Sequence, residues 1–378
     1  MGKRIKKILL VQLYSNGDCL YATTVARQIK SDYPDCHITW AIASFCKDII
    51  NLNPFVDDVR IVDDVAKNDI IAFRKFKKKV HHEKELGIWD KVIITSNLDD
   101  NQALYDGTIR GMILRAYPGK ITVPYQPVLV LSEHEKKKVA DFAQLHKLSS
   151  FKNIILWEYA PQSGQNNLDF HTVKLISEKL ISNPDTCVIL SAANSFDATE
   201  KIIDASKLTV RENAELSKYC TLLIGSSSGI TWLCTSSAGK MLPMVQLLNP
   251  NAIFLNAPSV DFNRIHLSTE SLIEMVDFNQ QKIYECVNEI LNQGFKEAKE
   301  KFNQNTPLQF FTTRKIVYNL LCYLQFKAIL KHISLTYSVY GFKVEFIKQL
   351  LIAFVTFPFQ LLFNTFSKRI KSKKAIKI

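Results

Sequence analysis

The sequence has no C-x-x-C pair and no histidines paired at metal-ligand spacing; its eight cysteines, at 19, 36, 46, 187, 220, 234, 286 and 322, are scattered. That distribution argues against a zinc site or a disulfide scaffold and predicts reduced, structural thiols. There is no Walker A sequence and no G-x-G-x-x-G fingerprint, so two common nucleotide-binding loops are excluded. Acidic pairs occur at Asp57-Asp58, Asp63-Asp64 and Asp99-Asp100, but none has the D-x-D spacing of a metal-diphosphate clamp, and each reads as a solvated turn. His81-His82 falls in a Lys-rich helix and His171 opens another, and no Ser-His-Asp or Cys-His order stands out. Short-period repeats and low-complexity tracts are missing too. Met1-Gly2-Lys3-Arg4 runs straight into an apolar stretch too short for a signal-peptide core, so nothing suggests export and a cytoplasmic protein is expected.

Acidic residues are scarce at one end. Residues 305–378 hold twelve Lys and Arg against the single acid Glu345, so this segment carries +11 of the net +12. The body is left near neutral, which argues against a nucleic-acid partner. Leu350–Phe363 is uncharged, and the basic cluster Lys368–Lys377 follows it. Pro358 interrupts the apolar run, which is shorter than the roughly 20 residues of a spanning helix. An element lying on an anionic membrane surface through residues 350–378 fits this pattern; a helix docked on the body with a solvated basic end is the alternative.

With 378 residues and 47% hydrophobic content, the chain suits two domains of about 150 residues plus an extension. Strand-like stretches at Ile8–Leu13, His37–Ala43, Asp58–Ile61 and Lys91–Thr95 alternate with helix-like stretches at Cys19–Ser31, Phe45–Leu52 and Ile70–His82. Thr95–Asp106 reads as a polar loop at the sheet's ligand edge. Ser132-Glu-His-Glu135 forms a capping box that opens a helix. The alternation restarts after Leu148–Lys152, with strands at Asn153–Glu158, Thr186–Ser191, Thr221–Ile224 and Met244–Leu248 and helices at Phe170–Ile181, Glu212–Tyr219 and Ile230–Ser237. This pattern predicts an α/β chain of two Rossmann-like, doubly wound lobes with a cleft between them, at 1–150 and 151–304, followed by a helical, basic and apolar tail at 305–378.

Chemistry concentrates at strand ends. In KILLVQLYSNGDCLYATTVARQIKS (residues 7–31), strand, Gly-containing turn and helix follow one another. Asp18 falls at the helix start, where it serves either as an N-cap or as a carboxylate facing a ligand, kept ionised by the helix dipole. In the second half, Gly225-Ser-Ser-Ser-Gly229 lies between a strand and a helix, and Pro161–Gln165 follows another strand. Both are phosphate-compatible loops, and both are equally ordinary connections. Glu158 ends an apolar strand, as a cleft residue or a satisfied strand-end carboxylate. Glu212 sits in Thr209-Val-Arg-Glu212, a helix-start pattern that favours capping.

Three stretches together resemble glycosyltransferase family 9, the heptosyltransferase-like enzymes of lipopolysaccharide assembly. Lys7–Pro34 resembles that family's opening strand, its S-x-G-D turn and its helix ending at Y-P. Leu52-Asn53-Pro54-Phe55-Val56-Asp57 resembles its L-N-P-x-V-D segment. Leu208–Leu233 resembles its late helix, strand and D-[ST]-G-x-x-H element. The resemblance implies a GT-B-like fold and a metal-independent, inverting transfer of sugar from a nucleotide-sugar donor to a lipopolysaccharide or other lipid-linked glycan, with no cofactor. It places the general base on Asp18, the acceptor and phosphate loop on Ser15, Asn16 and Gly17, and donor contacts on Ser163, Gly164, Glu212, Ser226, Ser227, Ser228 and Gly229. An enzyme at the inner face of the cytoplasmic membrane is implied. The family's late Asp and His are Ser227 and Trp232 here, and its phosphate-loop Lys has no counterpart in Gln162–Asn167, so the donor sugar stays open. Two other functions compete: an epimerase-like sugar-nucleotide enzyme, and a catalytically weak nucleotide-sugar-binding membrane partner.

Overall fold

The computed structural model describes residues 4–159, 168–192, 194–249, 257–304, 306 and 310–375. The chain divides into two compact units, Met1–Ser96 with Thr108–Pro307, and Asn97–Gly107 with Leu308–Ile378.

The first unit holds both lobes. Its elements begin with β1 (Lys7–Val11), α1 (Asn16–Asp32), β2 (His37–Ile42), β3 (Asp58–Ile61), α2 (Ile70–Glu85) and β4 (Lys91–Ile94). Next come α3 (Ile109–Arg115), α4 (Glu133–Leu145), β5 (Asn153–Glu158), α5 (Phe170–Leu180), β6 (Thr186–Ser191) and β7 (Ile202–Asp204). The second lobe continues with α6 (Val210–Leu216), β8 (Leu222–Gly225), α7 (Gly229–Leu233), β9 (Met244–Leu247), α8 (Pro258–Arg264) and β10 (Leu272–Met275). It closes with α9 (Gln280–Gln293) and α10 (Phe295–Phe302).

Both sheets are parallel. The first has the order β3-β2-β1-β4, the second β10-β9-β8-β5-β6-β7. Apart from Lys7, β1 is wholly buried, and β6 is buried at every position, as strands covered on both faces require. β3, at the edge of its sheet, is mostly exposed. In each sheet the strand order reverses beside its first strand, between β1 and β4 and between β5 and β8. Crevices at the carboxyl ends of such pairs are where doubly wound sheets bind ligands. The turn after β1 and the loops after β5 and β8 therefore stand at the two switch points, and Asp18, Glu158 and Gly225–Gly229 are among them.

Several expectations about boundaries shift. α1 begins at Asn16, so Ser15 is the N-cap position and Asp18 lies inside the first turn. Asp18 is thus not the cap residue. The helix expected over Ile230–Ser237 is only the five residues of α7. Phe45–Leu52 is a 3₁₀ turn, Ser44–Ile50, rather than an α-helix. The capping box at Ser132 and Glu135 forms as the sequence pattern indicates.

The lobes meet through Arg211 of α6. Its guanidinium donates to Glu135 Oε1 at 2.6 Å and Oε2 at 3.0 Å, to the carbonyls of Asp48 at 2.8 Å and Asn51 at 3.2 Å, and to that of Val130. Asn53 of the L-N-P segment also has a structural job: Nδ2 donates to Val128 O at 3.2 Å, while Oδ1 accepts the Phe55 N–H at 3.0 Å. Asp57 accepts Ile38 N–H and Lys30 Nζ, each at 2.7 Å, so it ties β2 rather than standing free in a turn.

The second unit contains α11 (Phe311–Cys322), α12 (Phe326–Tyr340) and α13 (Val344–Ala375), with a 3₁₀ turn at Asp99–Leu104. The segment expected as a ligand-edge loop thus packs with the C-terminal helices instead. Asp99 is buried and accepts Gln325 Nε2 at 2.7 Å, which corrects its assignment to a solvated turn. Buried apolar residues on both sides of the turn, Ala103 and Leu104 with Ile316, Leu320 and Ile329, supply the reason. α13 runs through Pro358 without a break. Its residues Phe346, Leu350 and Ala353 are buried, while Leu351, Phe354, Val355, Phe359 and Leu361 stand exposed. Val344–Leu361 is long and apolar enough to cross a membrane by length and composition.

Candidate active site

At the first switch point, the chain leaves β1 and enters α1 without a side-chain cap. Asp18, in the first turn, accepts the Ser15 N–H. The helix dipole acting alone would hold this carboxyl low. Instead burial pushes it above its ordinary value, opposed by the charges of Arg110 and Lys67 and by the Ser15 bond. Desolvation is the largest of these influences and sets the direction. Asn16 Oδ1 is also buried there and has no hydrogen-bond partner.

At the second switch point, the loop after β8 turns inward. Gly225 is required by packing: a Cβ there would stand 2.5 Å from Thr231 Oγ1. Ser227 takes a left-handed backbone (φ 55°), so its N–H reaches Gln246 Oε1 of β9 at 2.6 Å. Trp232 Nε1 donates to Ser227 O at 3.1 Å. The carboxylate of Glu158, at the end of β5, accepts the Ser228 hydroxyl and the Ile230 N–H. An acid of the protein itself therefore satisfies the start of α7, where the sequence pattern suggested a bound phosphate. Burial raises the Glu158 carboxyl, and the Ser228 and backbone bonds oppose that rise. Glu158 Oε2 and the Ser227 hydroxyl are buried and unpartnered, so part of the loop's polar capacity is unused.

The remaining sequence-predicted residues fall as follows. Ser226 lies buried in this inward-turned loop, and Gly229 is the first residue of α7. Glu212 is engaged by its own capping box and by Lys138: Oε2 accepts the Thr209 N–H at 2.7 Å and Lys138 Nζ at 2.8 Å. Ser163 and Gly164, and the side chains of the cluster Lys368–Lys377, lie outside the described residues. Among the described residues no three His, Cys, Asp or Glu side chains gather as a metal site would require.

Sequence reasoning missed the residues that bring the switch points together. Arg110 of α3 lies over the Trp232 ring of α7, with Cζ 3.9 Å from the centroid. Tyr21 of α1 meets Trp232 edge-on, ring centroids 5.6 Å apart, and its hydroxyl is 2.8 Å from Thr235 Oγ1. Nothing in the local pattern of Ile109–Arg115 marks Arg110. The one available signal was an arginine beside the apolar run Met112–Leu114.

Two parallel, doubly wound sheets in one chain are the hallmark of the GT-B class of two-lobed folds. No protein-family model matches the chain, and no curated protein matches it in sequence. Among solved structures, it is similar to a family 9 glycosyl transferase from Veillonella parvula, with 16% identity and a TM-score of 0.52, covering 79% of this chain and 94% of that one. It is also similar to the ADP-heptose lipopolysaccharide heptosyltransferase II of E. coli, with 15% identity and a TM-score of 0.50, covering 76% and 99%. At these identities the likeness is one of fold, and the fold is that of family 9 glycosyltransferase structures.

Proposed function

We propose that this chain is a metal-independent, inverting glycosyltransferase that moves a sugar from a nucleotide-sugar donor to a lipid-linked glycan at the inner face of the cytoplasmic membrane. The placement of Asp18 carries this reading: a carboxylate in the first turn of α1, at the switch point of the first sheet. Asp18 accepts the proton of the acceptor hydroxyl while that oxygen bonds to the anomeric carbon and the bond to the diphosphate breaks on the opposite face. A carboxyl raised by burial suits a base that must take up a proton. The second lobe is the donor side, with the unused Ser227 hydroxyl and the segment containing Ser163 and Gly164 as its polar contacts. The E. coli neighbour is named for ADP-heptose; the donor sugar here stays open, because Ser227 and Trp232 replace the family's acid and histidine.

The exposed apolar face of α13 supports attachment to a membrane surface. Glycan transfer at that surface would keep the enzyme beside a lipid-linked acceptor.

Asp18→Ala tests the chemistry. Transfer should fall by about 10²–10⁴, while stabilisation of the protein by nucleotide sugars in a thermal-shift panel persists. Unchanged turnover would refute the base. Release of free nucleotide with no sugar on any acceptor would favour the epimerase-like alternative.

A further inference from the structure

Arg110 is held more firmly than a surface arginine and is not fully used by the groups that hold it. Its side chain is 5% exposed. One face rests on Trp232, which is itself fully buried between Tyr21 and Phe262. Its Nη1 meets Asp261 Oδ2 at 3.5 Å, a long pairing, and its backbone N–H donates to Asp261 Oδ1 at 3.2 Å. Nε is buried and has no hydrogen-bond partner. The guanidinium reaches the first turn of α1: a Cβ built on Gly17 would lie 3.8 Å from Nη2 and 3.9 Å from Trp232 Cδ1. That glycine immediately precedes Asp18.

The groups around Asp18 come from every side of this turn. Arg110 approaches from α3, and the exposed Lys67 from the segment between β3 and α2. Asp261 of α8 is engaged with Arg110. Cys19 and Tyr21 of α1 are pushed up by burial and stay neutral, and α7 presents the uncharged Trp232. Cys46, from the 3₁₀ turn after β2, interacts with Cys19. Two cations therefore act on Asp18, one buried and one exposed.

We propose that Arg110 is the positioning residue for Asp18, a counter-charge fixed by Trp232 and Asp261 that keeps Asp18 a carboxylate in a site that is otherwise desolvating. Its part in transfer rests on Asp18 being the base. The assignment gives Trp232 a role: it is the platform for a guanidinium, not a ligand contact, and a planar cation is what an aromatic platform holds. Lysine in place of Arg110 would keep the charge but not the stacked geometry.

The test is a titration of the full-length protein with ¹³C-labelled aspartate, the Asp18 signal being assigned by its loss in Asp18→Asn. Arg110→Met, or Arg110→Gln should the methionine variant fail to fold, should raise the Asp18 midpoint by about 1–3 units, the span an opposite charge at close range accounts for. Arg110→Lys should stay nearer the wild type. Lys67→Met, at an exposed position, should raise the midpoint less, and that effect should fade in high salt while the Arg110 effect persists. The acid limb of the transfer pH profile should move upward in step. An unmoved Asp18 midpoint in a folded, neutral Arg110 variant would overturn the pairing. A moved midpoint with an unmoved pH profile would overturn its role in transfer, and would point to a base other than Asp18.

Discussion

Arg211→Met should be among the most damaging single substitutions in the first unit, and the structure sets its size. Arg211 is 3% exposed and spends its donors on the Glu135 carboxylate and the carbonyls of Asp48, Asn51 and Val130. The Arg211 bond is the first cause holding the Glu135 carboxyl at about 2, against an ordinary 4.5, with the Ser132 cap adding to it. A depression of about 2.5 units corresponds to roughly 3 kcal/mol at neutral pH. Most of that would vanish with Arg211, and carbonyls left without donors would add a further cost of about 1 kcal/mol or more. We expect a total loss of roughly 3–5 kcal/mol, the usual cost of removing one partner of a buried pair. The sign follows from a depressed acid. The wild type carries this stability above pH 4.5 and loses it as the pH falls through about 2. The gap between wild type and variant should therefore be widest at neutral pH and narrow across that acid window. Urea unfolding midpoints at a series of pH values measure it. A gap below about 1 kcal/mol, or one that stays constant through the acid window, would refute the reasoning.

Glu158 behaves in the opposite sense. Its carboxyl is raised by burial, so the folded protein gains stability as the pH falls through that raised value. Glu158→Gln should flatten this gain, and Glu158→Ala should cost about 1–3 kcal/mol by stranding the Ser228 hydroxyl and Ile230 N–H; melting curves across pH that match the wild type would contradict both. For the tail, changing the exposed Phe354, Val355 and Phe359 to serine spares the buried Phe346, Leu350 and Ala353. Binding to anionic vesicles should weaken by roughly 1.5–3 kcal/mol per aromatic removed, and undiminished flotation with vesicles would rule out this face as the membrane contact.

Legibility in the sequence followed the range of the forces. The strands were readable because β1, β5 and β6 are apolar runs, and a parallel strand buried on both faces needs little else. Both capping boxes, Ser132 with Glu135 and Thr209 with Glu212, were readable because cap and partner lie three residues apart. Glu212 shows the limit: the same pattern that supports capping left room for a donor contact, and Lys138 reaching it from α4 was out of view. Asp99 looked solvated because its neighbours in sequence are polar, yet Gln325 closes over it.

By itself, the sequence determined the α/β alternation, the two lobes, the glycine turn before Asp18 and the concentration of charge in the tail, since each depends on residues a few positions apart. Tertiary structure alone decided how the site is wired. Glu158 meets Ser228, Arg110 meets Trp232 and Asp261, and Arg211 meets Glu135 only after two sheets and their helices have packed. Burial then reverses what local chemistry implied for Asp18: a helix start lowers a carboxyl, but desolvation in the folded chain raises it. That balance depends on how much water the packed chain removes, and no stretch of sequence around Asp18 contains it.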